Sequence, residues 1–474
     1  MGKKRPLLVR SEENKVKRSN FPASIYAFPS RNLRHAKPKK PVLKSSFFSR
    51  GTRTRLGASI TSRGYGIGYG IESTGGTHAC SSAARELGSS AAPLPALPSH
   101  HPRDTISAAK RTPIANRGAT MHNAAQTMKA VVYDGKGHIE LADRALPRIA
   151  EDTDAIIRVT RSSICTSDLH IIHGAISRAL PDTVLGHEFV GIVEEVGSAV
   201  KAIAPGDRVA VNVETFCGEC FFCKRGYVNN CVRGGWELGC RIDGCQAEYV
   251  RVPFADNGCT PIPESVTDED ALFLGDVLAT GYFGAEIAEI TPGDTVAVIG
   301  AGPVGLCAMM CARAFGATTI IALDIDRSRL DRASREGIAD IVLDPNEIDP
   351  EETVRSLTEG RGADAVIECA GTPATFETAW KIARPNAVVS VMALYEEDQV
   401  LPLPKMYGKN LVFKTGGVDA HCLGRVMALV EAGRIDTTPL ITHRFPLDRA
   451  MEAYRTFEAR EDGCMKVVLT PIGE

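Results

Sequence analysis

No stretch of 18 consecutive apolar residues occurs in this 474-residue chain. The longest apolar segment, around 295–323, is broken by glycines, Pro303 and Arg313. A membrane-spanning helix needs about 20 such residues, so none is expected. There is no excess of one charge either: 55 Lys and Arg stand against 57 Asp and Glu. With 44% hydrophobic and 24% charged residues, full disorder, a collagen repeat and a coiled coil are excluded. One part of the chain does lack acid. Residues 1–127 hold 22 Lys and Arg but 5 Asp and Glu, leaving 33 against 52 for the remainder. That split reads as an acidic folded body behind a basic tail.

Residues 1–127 also lack any sustained period of 2 or 3.6. They carry basic clusters (Lys3-Lys4-Arg5 and Lys37 to Lys40), a Gly/Tyr-rich patch at 64–70 and a Ser/Ala/Pro-rich stretch at 88–100. Such a composition buries too little apolar surface to offset chain entropy, and disorder is expected. Three explanations compete: an organellar leader, a nucleic-acid-binding arm, or an over-extended reading frame whose true start is Met121 or Met128. The last is favoured, because Met128-Lys129-Ala130-Val131-Val132 begins a strand-like pattern abruptly.

From 128 onward the pattern is dense, without repeats or low-complexity runs. Short β-branched runs (130–133, 155–159, 189–196, 208–213) alternate with turns such as Pro205-Gly206-Asp207, which reads as an all-β module. From about 278 to 417, strands at 295–299, 319–323, 340–343, 364–368 and 387–393 alternate with helices at 303–315, 327–336 and 374–384. That order predicts an α/β fold with a doubly wound parallel sheet. The length itself predicts two or three domains.

Thr295-Val296-Ala297-Val298-Ile299 leads into Gly300-Ala301-Gly302-Pro303-Val304-Gly305 and then a helical stretch. In this strand–turn–helix context, Gly300 permits the tight turn and Gly302 lets the backbone approach a pyrophosphate. Gly305 lets helix and strand pack closely, and the helix start presents free N–H groups to phosphate. Asp324 follows a second strand. A carboxylate there accepts bonds from an adenosine ribose and repels a 2′-phosphate, so NAD is expected over NADP. Asp326 adds negative charge, while Arg327 and Arg329 pull the other way. Asp324 also reads as a plain cap of the following helix.

The 14 cysteines do not form a small secreted disulfide scaffold. Cys217, Cys220, Cys223 and Cys231 crowd into one lobe, which favours a closed tetrahedral structural zinc and a reducing compartment. A second set is spread out. It comprises Cys165 in Ser163-Ile164-Cys165-Thr166-Ser167-Asp168-Leu169-His170, His187 in Gly186-His187-Glu188, and Asp276 in Gly275-Asp276-Val277. One Cys, one His and one Asp would bind zinc and leave a fourth position open, as catalysis requires. Taken singly, each also reads as a core residue or a helix cap.

At these residues the chain resembles the zinc-containing medium-chain alcohol dehydrogenases, over 128–474. The carriers are Cys165-x-Ser167-Asp168-x-x-His170, Gly186-His187-Glu188, the four-cysteine lobe, Pro205-Gly206-Asp207-Arg208-Val209 and the glycine turn at 300–305. The resemblance implies a GroES-like catalytic domain in two segments, 128–277 (with the zinc lobe at 213–235) and 418–474. These flank a Rossmann domain at 278–417. It makes Cys165, His187 and Asp276 the catalytic zinc ligands. Many relatives have a second Cys where Asp276 stands; an aspartate looks like the secondary-alcohol and glutathione-independent formaldehyde dehydrogenase branch.

The resemblance also supplies supporting roles. Glu188 is similar to a carboxylate that enters the coordination sphere or sits behind it. Asp168 would accept a bond from the His187 imidazole and fix its tautomer. Ser167 would be the first proton relay and His170 its outlet. Thr280 falls where relatives touch the nicotinamide half. Val213 stands near the substrate channel, leaving room for a branched alcohol. Cys240 and Cys245 have no family role, and Asn386-Ala387-Val388 replaces a Gly-rich turn.

The implied reaction is reversible hydride transfer from a small primary or secondary alcohol to NAD, giving aldehyde or ketone, with two zinc ions per chain. An aldehyde dismutase with tightly held NAD is the alternative. A non-catalytic nucleotide- or nucleic-acid-binding role predicts lost zinc ligands, yet all are present. A cytoplasmic homodimer or homotetramer is expected, with neither membrane nor nucleic acid as partner.

Overall fold

Residues 127–473 are described by the computed structural model. The basic extension read over 1–127, with its candidate start at Met121, lies outside them except for Thr127, which opens the first strand.

The run Thr295–Ile299 is a strand with its last four residues buried. Val296 and Val298 enter one apolar cluster, Ala297 and Ile299 another, so both faces of the strand are covered. It sits inside a six-stranded sheet ordered Ile341–Leu343, Thr319–Leu323, Thr295–Ile299, Ala363–Glu368, Ala383–Val391, Val412–Thr415. All neighbours are parallel. The chain runs outward on one side of Thr295–Ile299, then returns to build the other side. That reversal opens a crevice at the carboxyl ends of the strands, where dinucleotide folds bind ligands. This is the doubly wound Rossmann sheet expected from the pattern.

Two details differ from the sequence reading. The helix expected over 374–384 is Pro373–Ile382, and Ala383 already starts the next strand. Arg384 precedes Pro385, and a proline ring disfavours helical backbone at the residue before it. Asn386 then takes a left-handed φ of 60°, the conformation a turn glycine would supply. An additional helix, Pro350–Leu357, starts with Pro at N1 and the Asp349 side chain accepting from the Glu352 N–H.

The remaining residues form the expected mostly-β, GroES-like part. Strand Ala155–Ile164 lies in a seven-stranded sheet, antiparallel to Phe189–Val196, Tyr249–Val252 and Lys466–Thr470. Lys466–Thr470 comes from the far end of the sequence, so the last segment closes the sheet that the first one opens. Within the dinucleotide-fold part, helices Ala279–Ile287 and Pro303–Phe315 pack against each other. A Cβ on Gly281 would lie 2.6 Å from Ala308 N, so only glycine permits that approach. Among the described residues no helix is long and apolar enough to cross a membrane.

Candidate active site

Antiparallel pairing of Ala155–Ile164 with Phe189–Val196 sets Ser162 opposite Phe189. Cys165 and His187 extend from the two strands at that same end of the register and come together. Cys165 caps helix Thr166–Ile172. Asp276 arrives from the other side, on a single π-helical turn, Leu274–Leu278, that runs into helix Ala279–Ile287. Such turns widen the backbone locally and are common at functional sites. Gly275 allows this one: its carbonyl accepts from Val213 N–H at 3.0 Å, and a Cβ would sit 1.9 Å from Val211 O.

The ligand atoms of Cys165, His187 and Asp276 all lie within 4.8 Å of one another. All three residues are buried. His187 Nε2 is 3.3 Å from Asp276 Oδ2, and that oxygen is buried without a hydrogen-bond partner. A buried, unpartnered carboxylate oxygen is costly unless something cationic takes it up. A thiol, an imidazole and a carboxylate converging in this way fit zinc, with one position left for another group. Burial alone would lower the His187 pKa. The Asp168 charge foremost, with the Asp168, Asp276 and Cys165 groups beside the ring, reverses this and raises it well above its ordinary value. The site therefore favours a positive charge at its centre.

The surrounding side chains are equally ordered. Asp168 Oδ1 faces His187 Nδ1 at 3.4 Å. Glu188 turns toward a buried lysine: Lys466 Nζ donates to Glu188 Oε2 at 2.5 Å, to Ser163 Oγ at 3.1 Å and to Ile164 O at 3.2 Å. Ser163 Oγ also donates to Glu188 Oε2, and Val277 N–H donates to Glu188 Oε1 at 3.2 Å. Glu188 thus joins the strand of His187 to the turn of Asp276. Ser167 Oγ lies 3.7 Å from Cys165 Sγ. His170 is half-buried, with Nδ1 3.8 Å from Glu396 Oε1 of the dinucleotide-fold part. Trp236 packs edge-on against His187, ring centroids 5.3 Å apart, and joins a small cluster with Val213 and Ala279. Cys240 and Cys245 are buried core thiols.

The glycine turn is built as its sequence requires. Gly300 has φ 95°, and a Cβ on Gly305 would fall 1.8 Å from Gly300 O. Pro303 and Val304 begin helix Pro303–Phe315. Asp324 stands just past strand Thr319–Leu323 and accepts from Ala301 N–H at 2.6 Å and Asp326 N–H at 2.8 Å. Arg329 Nη1 is 3.9 Å from Asp324 Oδ2. Thr280 lies on helix Ala279–Ile287, one turn beyond Asp276.

In the cysteine lobe, Cys220 Sγ is 3.4 Å and Cys217 Sγ 4.0 Å from Cys223 Sγ, and Cys231 closes the group. With Zn–S bonds of about 2.3 Å, the edge of a tetrahedron is about 3.8 Å, so these spacings fit a zinc ion and not a disulfide of about 2.05 Å. Cys217 and Arg233 N–H groups both donate to Cys231 Sγ. Backbone N–H groups, that of Cys223 foremost, bring the Cys220 pKa down to about 6. Burial, then the Cys220 thiol, pushes Cys223 up to about 12.

Sequence reasoning missed Lys466, Gln246 and Tyr454. Lys466 left a signal, a lone cation in the apolar run Met465-Lys466-Val467-Val468-Leu469. Gln246 and Tyr454 left none.

Comparison with known proteins agrees with the geometry. Residues 151–264 match the alcohol dehydrogenase GroES-like domain, and residues 303–427 match the zinc-binding dehydrogenase domain. An alcohol dehydrogenase of Cupriavidus necator is 40% identical over 371 residues, covering 73% of this chain and 99% of that protein. The alcohol dehydrogenase TADH from Thermus sp. ATN1 superposes with a TM-score of 0.69 at 38% identity, covering 73% of this chain and all of that one. A zinc-dependent alcohol dehydrogenase 2 from Streptococcus pneumonia gives a TM-score of 0.69 at 36% identity, covering 73% and 99%. The chain belongs to the zinc-containing alcohol dehydrogenase family.

Proposed function

We propose that this protein is an NAD-dependent zinc alcohol dehydrogenase, interconverting a small primary or secondary alcohol with its aldehyde or ketone. The observation that carries the reading is the buried convergence of Cys165, His187 and Asp276. Zinc bound there supplies Lewis acidity, and a nicotinamide dinucleotide on the glycine turn supplies the hydride acceptor. The chain does the rest. Asp168 orients His187 so that Nε2 faces the ligand cluster. Trp236 and Val213 exclude water from one side. Ser167 Oγ is placed to take the alcohol proton, and half-buried His170 passes it outward. The helix contact at Gly281 ties the Asp276 turn to the helix carrying the glycine turn, fixing the two reactants' sites in one frame. Asp324 at its strand end supports NAD over NADP.

The same reading assigns a second zinc to the cysteine lobe, and a catalytic domain made of 128–277 and 418–474 around a Rossmann domain at 278–417. It places the protein in the cytoplasm as a homodimer or homotetramer. Asp276, standing where many relatives carry Cys, favours one competing reading, an aldehyde dismutase or formaldehyde dehydrogenase that retains its NAD. A panel of primary, secondary and diol substrates with NAD and NADP, run beside a zinc assay, tests both. NAD-dependent alcohol turnover is expected. Paired acid and alcohol from aldehyde without added NAD would select the dismutase instead.

A further inference from the structure

The imidazole of His187 is backed by more than the Asp168 carboxylate. Behind Asp168 lies a buried chain of side chains that the reaction itself does not use. We infer that Gln246 and Tyr454 are positioning residues, which fix the tautomer of His187 through Asp168 and so retain the metal at the Cys165–His187–Asp276 cluster; this rests on the zinc-site reading above.

Tyr454 Oη donates to Gln246 Oε1 at 2.6 Å, and Gln246 Nε2 donates to Asp168 Oδ2 at 3.0 Å. Tyr454 is 4% exposed, and Gln246 and Asp168 are wholly buried, so no water competes for these bonds. Their direction is dictated by chemistry. An ionised carboxylate only accepts, so the amide must turn its NH2 toward Asp168 and its oxygen toward Tyr454. The phenol is then the donor. Burial, and next the Asp168 charge, raise the Tyr454 pKa well above its ordinary value and keep that proton in place.

Asp168 Oδ2 receives a second bond, from Cys165 N–H at 2.9 Å. With Oδ2 occupied twice, Oδ1 is left without a hydrogen bond, and so is His187 Nδ1, which faces it 3.4 Å away. The proton of a neutral imidazole is thereby held on Nδ1, and the Nε2 lone pair faces Asp276 and the metal position. Tyr454 sits on helix Ala450–Ala459 of the last segment, 208 residues from Gln246. The C-terminal segment therefore sets the orientation of a ligand supplied by the first.

The test uses zinc-loaded full-length enzyme challenged with a colorimetric chelator. Release from the two sites is told apart by the Cys165→Ser variant, which keeps the lobe metal alone. Loss of an outer partner of a metal-ligating histidine costs about 10–100-fold in metal affinity, so Gln246→Leu should speed release from the Cys165 site about tenfold, with lobe release unchanged. Tyr454→Phe deletes one oxygen and keeps the ring, guarding against simple misfolding. It should act in the same direction by about threefold, one bond further from the histidine. Wild-type release rates in both variants would overturn the inference. So would equal acceleration at both sites, which marks general loosening. If Cys165→Ser removes no metal from otherwise wild-type protein, the zinc reading itself falls, and this inference with it.

Discussion

Lys466→Met is the most informative single perturbation of the fold around the site. Lys466 and Glu188 are 1% and 0% exposed, and the lysine makes three hydrogen bonds there. Burial alone would lower the Lys466 pKa; the charges of Glu188, Cys165 and Asp276 and the Glu188 hydrogen bond together outweigh it and hold the ammonium charged. Methionine keeps most of the volume and removes the charge. Glu188 is then left with Ser163 Oγ and Val277 N–H as donors. Breaking a buried pair from one side costs about 3–5 kcal/mol. The carboxylate can escape by taking up a proton, and that route has a definite pH dependence. Neutralising an acid of ordinary pKa about 4.3 costs about 3.7 kcal/mol at pH 7 and about 1 kcal/mol at pH 5. The destabilisation should therefore be about 3–4 kcal/mol at pH 7 and fall to about 1–2 kcal/mol at pH 5. Urea unfolding of wild-type and variant at both pH values measures this directly. Glu188→Leu combined with Lys466→Met should cost less than the two single changes added together. Equal destabilisation at the two pH values, or a loss under 1 kcal/mol at pH 7, would refute the buried ion pair.

Other outcomes follow from named atoms. Asp324→Gly should weaken NAD binding and relax the bias against NADP in kcat/KM; an unchanged cofactor ratio would mean that this carboxylate only braces the glycine turn through Ala301 N–H. Gly275→Ala puts a methyl 1.9 Å from Val211 O and should lower both melting temperature and retained zinc, since the π-turn bearing Asp276 must shift; a wild-type melt would contradict that packing. Burial raises the Glu214 pKa to about 8, with Arg178 opposing and Asp276 and Asp419 adding to the rise. Its folded pKa lies above the unfolded value, so the folded state is favoured at low pH and loses stability as pH climbs from about 4.5 toward 8. Glu214→Gln should match wild-type stability near pH 5 and exceed it near pH 8.5, read as a melting-temperature difference between the two buffers.

Much of this molecule is legible in the sequence, for identifiable reasons. The Rossmann elements show because strands covered on both faces must be apolar throughout, as in Thr295–Ile299, and because Gly305 admits no side chain. The cysteine lobe shows because metal ligands on one short loop keep fixed spacings. The Cys165–His187–Asp276 cluster is harder. Its members lie on three elements far apart in sequence, and only antiparallel pairing and a π-turn bring them together. Spacing cannot announce a π-turn; Gly275 was its one trace. The layer behind the ligands was invisible. Gln246 looks like any polar residue, and its partner Tyr454 comes from a helix 208 residues away. The end of helix Pro373–Ile382 is not legible from apolar periodicity, which runs on to Arg384, where the following Pro385 disfavours helical backbone.

The proposed chemistry turns on an ion held by three buried side chains. Metal analysis of purified wild-type and Cys165→Ser protein, with alcohol turnover measured on the same samples, tests it most directly. Two zinc per chain falling to one, with turnover lost and the lobe metal kept, is the predicted result. One zinc per chain in both proteins, or undiminished turnover by the serine variant, would contradict it.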